Sequence, residues 1–229
     1  MSDILVLVLG TGGVPATGVS AVALNVTATN PTTPGFLTVF PTGAAQPSTS
    51  SVNFVAGQTV PNRVIVPVGS GGQVSIYNGA GSVDVVVDVG GWLTDASDPT
   101  ATGGRFTGLP AARIIDTRYG TGGVPRAPLK GGVPLAAQLA GLGGIPTMSA
   151  AVPPRAVLVN VTVTDGTAGS YLEVYPSDAA PPGSSDLNWV SSATVSNVVV
   201  ARLGPDGRVT LLNGAGTANV VIDVLGWYS

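Results

Sequence analysis

The chain contains no cysteine and no histidine, and only 9% of its 229 residues are charged. Without cysteine there are no disulfides, zinc–thiolate sites or thiol nucleophiles, and without histidine the commonest general base and metal ligand is missing as well. Nine Lys and Arg against twelve Asp and Glu leave a net charge of −3. Lys130 is the one lysine. That balance excludes a nucleic-acid partner, whose phosphates must be neutralised by cationic side chains. Long hydrophobic runs are lacking too. The longest aliphatic run, Ile4 to Leu9, falls far short of the roughly 20 residues a bilayer requires, so no membrane insertion is expected. Met1-Ser2-Asp3 lacks the basic start and long apolar stretch of a signal peptide, and an exported protein would carry its signal outside this chain.

What is abundant is glycine (33), proline (19) and hydrophobic residues (44%), with a mean hydropathy of +0.43. Such a chain folds, and its polar surface consists of Ser, Thr, Asn, Gly and apolar atoms. These repel one another little and favour association.

A duplication organises the sequence. AVALNVTATN at Ala21 to Asn30 recurs as AVLVNVTVTD at Ala156 to Asp165. The shift that places Asn25 on Asn160 carries FLTVFP onto YLEVYP, NFV onto NWV and NGAGSVDVVVDVGGW onto NGAGTANVVIDVLGW. It holds without a gap from Ala21 to Leu93. Within each copy apolar residues alternate with polar ones, as in Val22, Leu24 and Val26 or Val85, Val87 and Val89, the period of a pleated strand. Clusters of Gly, Pro and Ser separate the runs. Asn78-Gly79 and Asn213-Gly214 are dipeptides that tolerate positive φ and are expected to turn one strand into the next. The pattern predicts an all-β protein of two tandem homologous antiparallel β-sandwich or barrel domains, with seven or eight strands each. Residues 1–98 form the first, 99–111 a linker and 112–229 the second. The heads of the copies differ. Copy two carries IIDTRYGTGGVP from Ile114 to Pro125 and a further stretch from Leu129 to Pro146, whereas copy one begins ILVLVLGTGGVP and has no counterpart of Asp116-Thr117-Arg118. Either the chain is a piece of a longer array, or one domain is short of a strand and has an open sheet edge that a neighbouring chain could complete.

The ordered series IIDTRYGTG, GGVP, AVALNVTATNP, GFLTVFPTG, VNFVAGQTVPN, VSIYNGAGS and VDVVVDVGGW resembles a tandem repeat domain of exported and cell-surface proteins of actinobacteria. That domain accompanies extracellular peptidases, amidases and surface modules. The resemblance implies an extracellular accessory role. It supplies no catalytic residues and no ligand.

Five polar positions are retained between the copies: Asn25 and Asn160, Asn53 and Asn188, Asn62 and Asn197, Asn78 and Asn213, and Asp88 and Asp223. They form either a duplicated ligand site or a set of side chains satisfying buried backbone groups and turns. Asn25 and Asn160 also fit the Asn-x-Thr glycosylation pattern, but their mid-strand positions speak against it. Asp84 and Asp88 share a strand face. Copy two has Asn219 in place of Asp84, which argues against a hydrolytic pair, and a calcium site needs more oxygens than one strand offers. Asp88 and Asp223 are expected to pair with an arginine or with backbone N–H groups, with Arg118, close to Asp116, a candidate partner.

Aromatic residues make the sharper candidate. Tyr171, Glu173 and Tyr175 occupy one strand face. This aromatic, carboxylate, aromatic row is of the kind on which a sugar ring stacks while an acid accepts its hydroxyl protons. Trp189 is placed to extend it, and Phe36 and Phe40 occupy the equivalent places in copy one. The alternative is that these rings pack in the core or at an interface. The glycine clusters lack the spacing of a dinucleotide fingerprint or P-loop, and no G-x-S-x-G elbow occurs. No catalytic residue, metal or cofactor is expected. The composition favours a non-catalytic structural or interaction module, extracellular or displayed on a surface. It would pack against copies of itself or onto a larger assembly such as a cell envelope, a filament or a virion. The second reading is a carbohydrate-binding module, with a glycan as partner.

Overall fold

The computed structural model describes residues 3–94 and 104–229. The chain divides into two compact units, one up to Gly103 and one from Gly104. Each is all-β.

In unit 1 the strands are β1 (Ile4–Leu7), β2 (Val19–Thr29), β3 (Gly35–Pro41), β4 (Val52–Phe54), β5 (Val60–Pro67), β6 (Gln73–Asn78) and β7 (Asp84–Thr94). One sheet has the order β1-β6-β3-β4 and the other β5-β2-β7, and every pairing is antiparallel. Unit 2 has β8 (Phe106–Asp116), β9 (Leu129–Lys130), β10 (Leu135–Gln138), β11 (Ala156–Thr164), β12 (Ser170–Pro176), β13 (Leu187–Trp189), β14 (Val195–Arg202), β15 (Arg208–Asn213) and β16 (Thr217–Tyr228). Its sheets run β10-β15-β12-β13 and β14-β11-β16-β8, with β9 paired to the start of β16. Both units are β-sandwiches whose cores interleave side chains from two facing sheets. In unit 2, Val157, Val159, Val161 and Val163 all point inward from β11 and meet Leu172 and Leu211 of the opposite sheet. In unit 1, Val22, Leu24 and Val26 meet Leu37 and Ile76 in the same way. Even an irregularity is duplicated. The register slips between Ala23 and Leu24 against β7, and between their counterparts Leu158 and Val159 against β16.

The structure corrects three expectations. First, residues 106–111, taken with the linker, lie in β8. Hydrogen bonding to β16 holds them extended, with Phe106 opposite Tyr228 and Gly108 opposite Gly226. Second, Asn-Gly does not supply positive φ. The left-handed residues are Gly81 and Gly216, two positions beyond Gly79 and Gly214. The turn carries the chain between sheets rather than closing a hairpin.

Third, the counterpart of ILVLVLGTGGVP is Leu135 to Pro146, although GTGGVP recurs at Gly120 to Pro125. Ile4 of β1 faces Ile76, and Leu135 of β10 faces Leu211, the counterpart of Ile76. The Gly10 N–H donates to the carbonyls of Val14 and Pro15, and the Gly141 N–H to those of Ile145 and Pro146. Gly10, Gly12 and Gly13 share positive φ with Gly141, Gly143 and Gly144. The extra material of unit 2 is therefore the stretch from Gly104 to Pro134, which contains β8, the Asp116-Thr117-Arg118 turn and β9. Its presence raises the strand count of unit 2 to nine among the described residues, against seven in unit 1.

Candidate functional site

The retained asparagines are mostly tied into the backbone. Asn62 and Asn197 each donate through Nδ2 to the carbonyl of the residue just before the short strand beside them, Ser51 before β4 and Asp186 before β13, at 2.7 and 2.8 Å. Asn78 and Asn213 donate to the carbonyls of Gly81 and Gly216, and their Oδ1 atoms accept from the N–H groups of Ala80 and Ala215. Asn188 donates to the Ser185 hydroxyl, while Asn53 is exposed. Asn25 is buried, and Asn160 lies 3.4 Å from the Thr162 hydroxyl. Two of the five pairs meet across a sheet, Asn25 with Asp88 and Asn160 with Asp223, and Asn160 and Asp223 line one pocket with Arg113, while the other three pairs lie on separate strands and turns.

The carboxylates take arginine partners, from opposite flanks in the two units. Across the sheet of unit 2, Asn160 faces Asp223 and Asp223 faces Arg113. Arg113 Nε lies 3.0 Å from Asp223 Oδ1. In unit 1 Asn25 faces both Asp88 and Arg63, so the cation comes from β5. Burial pushes the Asp88 carboxyl up, and Arg63 only partly opposes it. Arg118 is not the partner of Asp223. It doubles back on Asp116, with Nη2 2.7 Å from Oδ2 and Nε 2.9 Å from Oδ1. That hydrogen-bonded guanidinium holds the Asp116 carboxyl below the usual range. Thr117 beside it is fully buried. Its hydroxyl donates to Asn219 Oδ1 and accepts from the Val220 N–H, both at 3.0 Å, while its own N–H donates to the Val220 carbonyl. The Asp-Thr-Arg turn is thus a staple that fastens the end of β8 to β16.

The exchange of Asp84 for Asn219 is compensated. Asn30 donates to Asp84 Oδ2 at 3.0 Å, and Asn219 donates to Asp165 Oδ2 at 3.1 Å. The amide and the carboxylate have traded places between the residue just past the end of β2 or β11 and the outer strand, β7 or β16. Among the described residues no three carboxylates gather closely enough to hold a metal ion.

The aromatic row lies on one face, as the alternation predicts, but it is roofed. Tyr171 is 40% exposed, whereas Glu173 is 4% exposed and Tyr175 is buried. The connection from β12 to β13 folds back over them. The Gly183 N–H bonds to Glu173, and Asp186 accepts from the Val174 N–H and donates its own N–H to the Leu172 carbonyl. Burial pushes the Glu173 carboxyl up, and its Oε2 has no partner. In unit 1 the equivalent connection covers Thr38, whose hydroxyl donates to the Thr49 carbonyl, and Phe40 is buried. Phe36 and Tyr171 remain at the surface, each laid against the glycine of its Asn-Gly turn so closely that a Cβ there would collide with the ring. Trp189 points into the core with Leu172 and Leu187 and does not extend the row. A sugar platform of three ring-and-acid positions is therefore not open in either unit.

What alternation did not reveal is the difference between the two outer strands. In unit 2, β8 covers the edge of β16, and Val220, Ile222 and Val224 are fully buried. In unit 1 no described strand pairs with the other edge of β7. The counterparts Val85, Val87 and Val89 are only partly buried, and Val86 is 48% exposed where Val221 is 3% exposed. Trp92 and Leu93 on β7, and Ile4, Leu5 and Leu7 on β1, are exposed as well. Beside β7 lies a cavity of about 390 Å³ lined by Ile4, Leu37, Ile76, Asn78, Val83 and Val85, among others.

The chain matches no known family model and no curated protein. The geometry of this edge is thus the strongest pointer to function. An unpaired row of N–H and C=O groups beside exposed apolar side chains has the chemistry to pair with a further strand.

Proposed function

We propose that the chain is a non-catalytic structural or interaction module that works by packing weakly charged β surfaces against another polypeptide, either copies of itself or a larger assembly. The observation that carries this reading is the uncovered, apolar edge of β7, beside a duplicate in which the same edge is covered. The low charge of the chain supports it, since little repulsion opposes close approach of two such surfaces. The resemblance to exported actinobacterial repeats supports an extracellular or surface-displayed location.

Sedimentation velocity across a range of concentrations tests the reading. Association is expected to grow with concentration and to weaken in Val86→Lys, which places a charge at the open edge without disturbing the core. A strict monomer at every concentration, with Val86→Lys indistinguishable from it, refutes self-association.

A further inference from the structure

The two units are built on one plan, so the covered edge of unit 2 specifies what the uncovered edge of unit 1 accommodates. Along β16, Asp116 stands opposite Val221, Ile115 opposite Ile222, Arg113 opposite Asp223 and Ala112 opposite Val224. The counterparts on β7 are Val86, Val87, Asp88 and Val89. A second footprint is independent of the first. In unit 2, β9 lies on Thr217 and Ala218, with Leu129 only 4% exposed, and the N–H groups of Gly131 and Gly132 donate to the carbonyls of Gly216 and Asn213. The counterparts of Thr217, Ala218, Gly216 and Asn213 in unit 1 are Ser82, Val83, Gly81 and Asn78. All four line the 390 Å³ cavity. The open edge and the cavity are thus the two places that the Gly104 to Pro134 stretch occupies in its own unit.

We propose that unit 1 is an acceptor for an extended segment of the same chemistry as Arg105 to Val133, supplied by another polypeptide. The segment carries an antiparallel strand with an adjacent aliphatic pair, then an Asp-Thr-Arg turn, then an apolar side chain that enters the cavity. The strand runs along β7 with its arginine beside Asp88, and its turn closes over Val85. The partly buried Asp88 carboxylate, which Arg63 compensates incompletely, gains a second cation in that register. A straightforward exchange between two copies of this chain does not serve. The described residues contain one such segment, already seated on β16, and moving it would uncover as much surface as it covers. Main-chain pairing along an open edge, with pockets reading alternate side chains, is an established mode of peptide recognition.

The inference rests on the interaction-module reading and sharpens it to a partner. Its test uses the full chain and a labelled synthetic peptide with the sequence of residues 105–133. Saturable one-to-one binding is expected, with new hydrogen-exchange protection on residues 84–94 and no change on residues 217–228. There the tethered segment competes at a high effective concentration. Changing Leu129 to Asp in the peptide is expected to weaken binding about ten- to a hundred-fold, the worth of burying one such side chain. A chimera with residues 104–134 placed directly before Ile4 fills the edge in cis. It is expected to lose peptide binding and to raise the thermal midpoint of unit 1. Absence of binding, protection confined to residues 217–228, or a chimera that still binds the peptide overturns the inference, whether or not the chain self-associates. Peptide binding by a chain that sediments as a strict monomer supports the inference and removes self-association alone.

Discussion

Val86 and Val221 are the same residue at the same place in two copies of one fold, and they allow the open edge to be weighed within a single molecule. Valine to alanine removes two methyl groups. At about 0.8 kcal/mol per buried carbon the transfer loss at Val221, which is 3% exposed, is about 1.6 kcal/mol. Incomplete collapse of the cavity brings the total to about 2–3 kcal/mol. At Val86, 48% exposed, roughly half the transfer loss applies and no enclosed cavity is left, so the cost is below about 1 kcal/mol. Urea unfolding read by pulsed hydrogen exchange reports the two units through separate peptides, β7 for unit 1 and β16 for unit 2. Val221→Ala is expected to lower the midpoint of unit 2 clearly, and Val86→Ala to move that of unit 1 little. In the chimera that carries its own covering strand, Val86→Ala is expected to cost as much as Val221→Ala. Equal costs in the unmodified chain would show that β7 is already covered, and the reasoning from its exposure would fall.

Two further outcomes follow from the buried polar groups. Thr117→Val keeps the shape of the side chain but leaves the buried Val220 N–H without its acceptor and Asn219 Oδ1 without its donor, at about 2–3 kcal/mol to unit 2. Thr117→Ser keeps both bonds, so faster exchange of the Val220 amide in the valine variant alone is the diagnostic, and equal exchange in both sinks the staple. Glu173 has its carboxyl raised by burial, so the folded state holds the proton more tightly than the unfolded state. Its contribution is full below the unfolded value of about 4.3 and is lost as pH rises through the folded one. Glu173→Gln is expected to flatten the decline in unit 2 stability above about pH 4.5, and an unchanged slope would mean that the carboxyl is solvated.

The alternation of Val22, Leu24 and Val26 foretold both the strand and its inward face, because that periodicity is local. The same reasoning placed Tyr171, Glu173 and Tyr175 together on the outer face. What covers them is a connection that returns from Gly183 and Asp186, and no property of the row itself announces it. The partner of Asp223 was hidden for a similar reason. Arg113 and Arg118 are close in sequence, and only the register of β8 against β16 decides which one reaches the carboxylate. The string GTGGVP shared by the two heads does not mark the counterpart of the start of copy one. GTGGVP occurs twice because two different turns each need left-handed glycines, and the true counterpart, GLGGIP, shares the hydrogen bonds rather than the letters. The missing Asp-Thr-Arg left two readings open, a piece of a longer array or a domain short of a strand. The cavity beside β7 was not foreseen, since it is formed by Ile4, Leu37 and Val83 from distant parts of the chain.

The traded amide and carboxylate bear on how a duplicated chain avoids folding against itself. Two halves of one fold in one polypeptide invite a strand of one to add to the sheet of the other before its own partner arrives. If β11 took β7 in place of β16, Asp165 would meet Asp84, and two carboxylates would stand where each native pair has one carboxylate and one amide donor. The Asp88 carboxylate would lose Arg63 as well, because Val198 of β14 holds that position in unit 2. A handful of polar substitutions thus labels each half as its own, so that fidelity during folding is secured by charges too few to matter for solubility.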